Sequence, residues 1–321
     1  MDLTITEMHQ EGSRLHLSFS DGHATCFESA QLLERYADEA DERQLWDAGL
    51  ETLPEADFTM AVESDEALAT LLSRLHRFGF VRVQGVPTTM EGMMPLIDRI
   101  GPLRRTNWGG IADVRSVANA EDLTMTRRGL EPHTDNPYRD PIPGYIWLHC
   151  LSNAADGGDS TLVDGFMIAR YLRRHEPQHF ETLTGTTSHF CYVDQETHLE
   201  NEGPLIELNG EGEVVRVRYN NRTEQVPVGA PERLLRYYAA RRRFFELITS
   251  PAMTLQLKLA PGEMLIMDNY RLCHGRTAYE LAGGERHLRQ GYVDRDSTAS
   301  RRRVINRARA GTTAPAHGAM S

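Results

Sequence analysis

The segment Tyr145-Ile-Trp-Leu-His-Cys-Leu151 constrains the fold most, because it is apolar enough to be a central strand. Other short stretches read as strands: Phe80–Val83, Ser160–Val163, Val214–Tyr219 and His287–Asp294. Met253–Leu259, a Pro261-Gly262 turn and Met264–Met267 together predict a β-hairpin. Helices come at intervals. Leu68, Leu71, Leu72 and Leu75 recur at helical spacing, with Gly79 as a stop. Thr88 and Glu91 suggest a capping box ahead of Met93, Leu96, Ile97 and Ile100. Phe166–Arg174 also reads as helix, and Pro231 opens a long amphipathic one carrying Leu234, Leu235, Tyr238, Phe245 and Ile248. No regular βαβ alternation appears. The expected class is therefore mainly β with flanking helices, an antiparallel sandwich or jelly roll.

The ends read differently. Leu15, Leu17 and Phe19 alternate with polar residues before an Asp21-Gly22 hairpin turn, and a short helix is expected near Gln31–Ala40. Residues 1–60 are read as a small N-terminal β-rich domain, 61–308 as the main domain, and 309–321 as a small, polar, disordered tail. The composition, 40% apolar and 25% charged over 321 residues, is that of an ordinary globular protein. A net charge of −11 argues against a nucleic-acid partner, which would demand basic surface. No apolar run approaches the ~20 residues of a membrane helix, and Met1-Asp-Leu-Thr-Ile-Thr-Glu7 has no signal-peptide pattern, so no membrane partner is expected. Cys26, Cys150, Cys191 and Cys273 are dispersed without a Cys-x-x-Cys pair. That pattern predicts neither a disulfide scaffold nor a cysteine zinc site, and suits a reducing cytoplasm.

The candidate chemistry lies in His133-Thr-Asp135 and the distant His274. Two imidazoles and one carboxylate are the facial ligand set of non-haem Fe(II), which leaves open positions on the metal. Residues i and i+2 of a strand point to one side, so the spacing suits a strand end. One rival, His198-Leu-Glu200, sits in a hydrophilic acidic stretch without a strand pattern and is expected to be a solvated loop. On residues alone, His133, Asp135 and His274 are either a metal triad or satisfied polar groups at loop ends.

A wider set of motifs resembles the iron(II)/2-oxoglutarate dioxygenases, within them the γ-butyrobetaine hydroxylase-like branch. The matching segments are Pro132–Tyr138, Leu148–Leu151, Gly157–Ser160, Val163–Phe166, Tyr219–Asn221, Pro261–Glu263 and Asp268-Asn269. His274-Gly-Arg276, Tyr279, Glu285–Leu288 and Gly291-Tyr292 complete the set. The resemblance runs from about residue 64 to 303 and implies a double-stranded β-helix core. It implies that His133, Asp135 and His274 bind Fe(II), and that Arg286 pairs with the distal carboxylate of 2-oxoglutarate through its planar fork. Arg289 is the alternative anchor, although three residues along the strand it faces the other way. Ser160 matches a hydroxyl that helps hold the cosubstrate. Dioxygen is the further reactant, and succinate and CO2 are the coproducts.

On the substrate side, Trp108 and Tyr292 match positions of an aromatic cage for a trimethylammonium group. Ala112 and Met125 depart from that cage. Asn220 matches an asparagine that bonds the substrate carboxylate, Asp122 stands where a second can lie, and Asn136 replaces a tyrosine. These departures imply a small amine- or quaternary-ammonium-bearing substrate other than γ-butyrobetaine. Family members often hold a structural zinc near the N-terminus; with only Cys26 there, none is expected. A homodimer follows from the resemblance alone. The expected activity is hydroxylation of an unactivated C–H bond. Desaturation or ring formation at the same iron is one alternative, and a non-catalytic jelly-roll binding or sensor protein is another.

Overall fold

Strands Ile5–Glu11, Arg14–Phe19 and Ala24–Glu28 form an antiparallel three-stranded sheet in chain order. Leu15 stands opposite Phe27 and Leu17 opposite Thr25. Gly22 (φ 82°) turns the second hairpin, where the Phe19 N–H donates to the His23 carbonyl. The computed structural model describes residues 3–29, 43–115, 126–225, 227–280 and 284–309. The expected helix over Gln31–Ala40, substrate positions Asp122 and Met125, and residues 310–321 of the expected tail lie outside these residues.

The chain divides into two compact units, Met1–Arg43 and Gln44–Ser321. Residues 44–60 thus fall not in the first unit but in the second. Trp46 and Phe58 are buried in its core, and Glu55–Asp57 pairs in parallel with Phe80–Gln84.

In the main body Tyr145–Asn153 is the central strand that its apolar run predicts. Met264–Asp268 and Arg286–Val293 flank it in a six-stranded sheet completed by Phe80–Gln84, Glu55–Asp57 and Ile111–Arg115. Its side chains alternate between two cores. Tyr145 and Trp147 face outward, with Ile266 and Val293, against Leu68, Leu72 and Leu75 of the helix Asp65–Phe78 and Ile97 of Met94–Ile100. Ile146 and Cys150 face inward, with Phe80, Leu265 and Leu288, against Leu162, Leu257 and Leu272. Those last residues belong to a four-stranded sheet ordered Leu255–Leu257, Ser160–Asp164, Leu272–Arg276, Leu130–His133. Two sheets, antiparallel except for the Glu55–Asp57 edge, close on one apolar interior and make a mainly β sandwich of jelly-roll type. Outside the smaller sheet, Val163 and Cys273 pack under helices Gly165–His175, Pro177–Gly185 and Pro231–Ile248.

A buried pin joins these layers. Asp164 accepts from the N–H groups of Phe166 and Met167, capping their helix, and pairs with Arg271 at 2.7 Å with both side chains fully buried. Arg271 also donates to the carbonyls of Arg77 and Gln44, and the Trp46 N–H donates to Asp164.

Several local expectations are corrected. Leu255–Leu257 and Met264–Asp268 lie in different sheets and are not a hairpin. Met264–Asp268 is buried throughout and hydrogen-bonded on both edges, so it has no side left for that partner. The Thr88/Glu91 box does not cap a helix; the helix starts at Met94 with Pro95 in its first turn and no side-chain cap. In Pro231–Ile248 the buried stripe is Tyr237, Ala240, Phe244, Leu247 and Ile248, while Leu235 and Tyr238 are exposed. Both stripes have helical spacing, and the smaller Ala240 fits the close contact. His198–Pro204 is a strand, paired with Thr187–Val193, rather than a loop. A polar C-terminal helix, Arg295–Arg309, buries only Thr298, Arg302 and Ile305 and so leaves a weak sequence signal.

Candidate metal and cosubstrate site

His133 ends its strand directly opposite His274 in the smaller sheet, which brings the two rings to 4.6 Å between centroids. Asp135 follows in a segment held by backbone bonds. The Thr134 N–H donates to the Tyr219 carbonyl, and Asn220 Nδ2 donates to the Thr134 carbonyl. On the other side Asn269 accepts from the Asp135 N–H and donates back to the Asp135 carbonyl. These clasps explain why Tyr219-Asn220 and Asp268-Asn269 accompany the histidines in sequence.

The donors converge. Asp135 Oδ1 lies 3.3 Å from His133 Nε2 and 3.7 Å from His274 Nε2, and one ligand atom from each residue falls within 4.8 Å of the others. His133 Nδ1 lies 2.9 Å from the Glu131 carbonyl, which leaves Nε2 for a metal. Burial holds His274 down to about 4, so its ring is neutral near pH 7 and its lone pair is free to ligate. Burial alone would raise the Asp135 pKa. The two histidines and a bond from Tyr292 outweigh it and hold the carboxyl well below the usual carboxylate range. One carboxylate and two imidazoles whose donor atoms converge suit a divalent iron.

Asp135 Oδ2 points the other way, accepting from Tyr292 Oη and Gln290 Nε2, each at 2.8 Å. Asn136 Nδ2 donates to Tyr292 Oη at 3.2 Å, and Tyr138 Oη donates to Asn136 Oδ1 at 2.7 Å. Asn136 sits at φ 50°, the one described non-glycine residue with positive φ.

Deeper in the same interior lies Arg286. It is buried; one nitrogen reaches the Gly158 carbonyl at 3.3 Å, while Nε and Nη1 have no hydrogen-bond partner among the described residues. Glycine is required at 158 (φ 71°), because a Cβ there would lie 2.9 Å from Arg286 Nε. Arg276 and Arg286 both stand over the Tyr279 ring, at 5.0 and 5.2 Å. Burial and then Arg276 lower Arg286 to about 10, which leaves it charged at neutral pH. A buried, charged guanidinium with idle donors fits a dicarboxylate such as 2-oxoglutarate. Ser160, opposite Arg276 in the sheet ladder, is buried on the same inner side. Arg289 faces outward to Asp113 at 3.3 Å, so the alternation that separates it from Arg286 holds.

Toward the surface, Trp108 meets Tyr192 edge-on at 5.3 Å, and Tyr192 stacks on Tyr138 at 5.1 Å. The Arg139 guanidinium lies over Trp108 at 5.4 Å and over Tyr138 at 5.6 Å. Asn220 is buried, with its carbonyl oxygen accepting from the Arg222 N–H. Sequence reading missed Gln290, Arg276, Tyr138 and Tyr192 as neighbours of the site. Gln290 was findable, since residues 286, 288, 290 and 292 alternate onto one face of a strand.

A jelly roll whose interior holds a two-histidine, one-carboxylate triad and a buried arginine with idle donors defines the class of non-haem iron oxygenases that use a 2-oxo acid. The chain belongs to the taurine catabolism dioxygenase TauD, TfdA family, whose model matches residues 43–292, and is an Fe(II)/2-oxoglutarate-dependent dioxygenase. It is 34% identical over 307 residues to the γ-butyrobetaine dioxygenase of Pseudomonas sp. (strain AK-1), covering 92% of this chain and 80% of that protein. It is 35% identical over 270 residues to the human enzyme of that name, covering 82% and 69%. The mitochondrial trimethyllysine dioxygenase of Rattus norvegicus is 30% identical over 307 residues, covering 91% and 72%. Among solved structures, a taurine dioxygenase from Burkholderia xenovorans shares the fold at TM-score 0.57 and 18% identity, covering 78% of this chain and 90% of that one.

Proposed function

We propose that the enzyme hydroxylates an unactivated C–H bond of a small substrate bearing a quaternary ammonium or amine group. The observation that carries this reading is the convergence of His133, Asp135 and His274, with the idle guanidinium donors of Arg286 on the same strand as Gln290 and Tyr292, which bond Asp135. Iron bound with 2-oxoglutarate supplies an oxidant drawn from dioxygen, with succinate and CO2 released. The chain's own part is positional. His133, Asp135 and His274 would hold the metal, Arg286 would take the distal carboxylate of 2-oxoglutarate, and Ser160 would support it. The substrate would be held with its target carbon near that metal.

The curated relatives are named for γ-butyrobetaine and trimethyllysine, both trimethylammonium compounds. Trp108 and Tyr292 are the aromatic partners for such a cation here, and Tyr138 and Tyr192 extend the aromatic surface. Asn220 uses one amide hydrogen on Thr134 and retains one for a substrate carboxylate. Asn136 takes the neighbouring substrate position, and Asp122 and Met125 complete the set by resemblance. The departures at Ala112 and Asn136 support a substrate other than γ-butyrobetaine.

The test is a succinate-release screen with Fe(II), ascorbate, 2-oxoglutarate and a panel of betaines, trimethylammonium phosphonates and amino acids. A trimethylammonium compound should stimulate turnover most strongly; stimulation confined to the amino acids would overturn the substrate class. The same reading takes Met1–Arg43 as a small separate domain and, by resemblance alone, the chain as a homodimer, which light scattering checks. The four unpaired cysteines support a reducing cytoplasm, and the acidic charge supports the absence of a nucleic-acid partner.

A further inference from the structure

The strands Thr187–Val193 and His198–Pro204 form a hairpin with two unlike faces. Tyr192 and Asn201 face the oxygenase site. Tyr192 meets Tyr138 and Trp108, and Asn201 Nδ2 donates to the carbonyls of Pro137 and Arg139. The outer face carries Cys191 opposite Glu200, with His198 opposite Val193 and His189 opposite Glu202. The Cys191 N–H is spent on the Thr223 carbonyl of the other neighbouring segment. Cys191 and Glu200 are therefore a non-hydrogen-bonded cross-strand pair, the kind whose side chains approach most closely.

On that face Glu200 Oε1 lies 2.8 Å from His198 Nε2 and 3.8 Å from Cys191 Sγ, and the three ligand atoms fall within 4.8 Å of one another. A merely solvated acidic face would not need a thiol, since free cysteine is among the residue types most often buried. Thiolate, imidazole and carboxylate are zinc donors, and three protein ligands leave a fourth position for water or a further ligand. We propose that Cys191, His198 and Glu200 form a second metal site, for Zn(II) or a similar divalent d-block ion, on the outer face of this hairpin. Coordination expels the thiol proton. The ion would bridge both strands and stiffen the support under Tyr192.

Cobalt(II) titration of the full chain is the test, because the oxygenase triad contains no sulfur and gives no thiolate-to-cobalt charge-transfer absorption. The near-ultraviolet band should saturate at about one Co(II) per chain and be displaced by Zn(II). Cys191→Ser should abolish it, and His198→Ala should weaken the underlying affinity by at least about tenfold. Both variants should keep 2-oxoglutarate turnover in zinc-free buffer, which verifies their folding. Cys26, whose sulfur lies 3.7 Å from His16 Nε2, is exposed, whereas Cys150 and Cys273 are buried, so it serves as control. A wild-type protein without the band, or a band lost in Cys26→Ser but kept in Cys191→Ser, overturns the site.

Discussion

Asp135 divides its two oxygens between two tasks. Oδ1 faces the histidines, and Oδ2 is tied to Tyr292 and Gln290. Replacing Asp135 by Ala should abolish both iron retention in equilibrium dialysis and 2-oxoglutarate turnover; iron retained at wild-type level would remove the triad assignment. Tyr292→Phe keeps the ring and deletes the hydroxyl. It should weaken iron retention by about tenfold, because the carboxylate loses one of the bonds that aim it. Arg286→Ala should raise the 2-oxoglutarate KM by more than about tenfold while leaving iron retention unchanged, since its guanidinium pairs with no carboxylate among the described residues. An unchanged KM would move the anchor elsewhere. On residues alone the triad stayed one of two readings, and it was the family resemblance, with several motifs in register, that singled out His133, Asp135, His274 and Arg286. Gln290 could have been added by strand alternation from Arg286 and Tyr292, whereas Tyr138 and Tyr192 could not, because a phenol signals nothing until the fold sets it beside Trp108.

Elements were legible where one pattern had one meaning. Asp65–Phe78 announces itself by its leucines and by Gly79, which adopts φ 79° at the C-cap, and Ser64 caps its start. Tyr145–Asn153 is central because its apolar run could be satisfied only by cover on both faces. Met264–Asp268 carries the same signal, yet its partners could not be read, because any of several strands could satisfy its edges. The stripe of the Pro231–Ile248 helix was read only in part for a related reason: Ile248 is buried and Phe245 packs at the core's edge as expected, but packing against Tyr219 and Phe166 chose Tyr237 and Phe244 over Leu235 and Tyr238. The element most exposed to a single change is Gly165–His175, where Asp164 serves as cap and as the buried partner of Arg271. Asp164→Ala should cost about 3–5 kcal/mol in urea unfolding, since Arg271 would be left buried without its counter-charge. A loss below about 1 kcal/mol would show that the pin is dispensable.

At the scale of the molecule, His149 makes stability depend on pH. It is fully buried on the helix-covered face of the larger sheet, and neither ring nitrogen has a hydrogen-bond partner among the described residues. Burial, and then Arg289, hold it down to about 4. An unfolded chain would protonate this ring near 6.5, so between about 6.5 and 4 the unfolded state binds a proton that the folded state refuses. The associated stability is complete above that window and lost as pH falls through it, on the order of 3 kcal/mol in all. His149→Leu should flatten the decline in urea-unfolding free energy between pH 7 and pH 5; an unchanged slope would assign the acid lability to other groups. What the sequence by itself determined is the oxidising chemistry and the fold class. Ligand type is a property of individual side chains, and strand alternation is local. Tertiary structure alone decided which sheet each strand joins, which face of each helix is buried, and which neutral residues surround the metal ligands. Those outcomes rest on many weak contacts between residues far apart in the chain, and no local pattern encodes their sum.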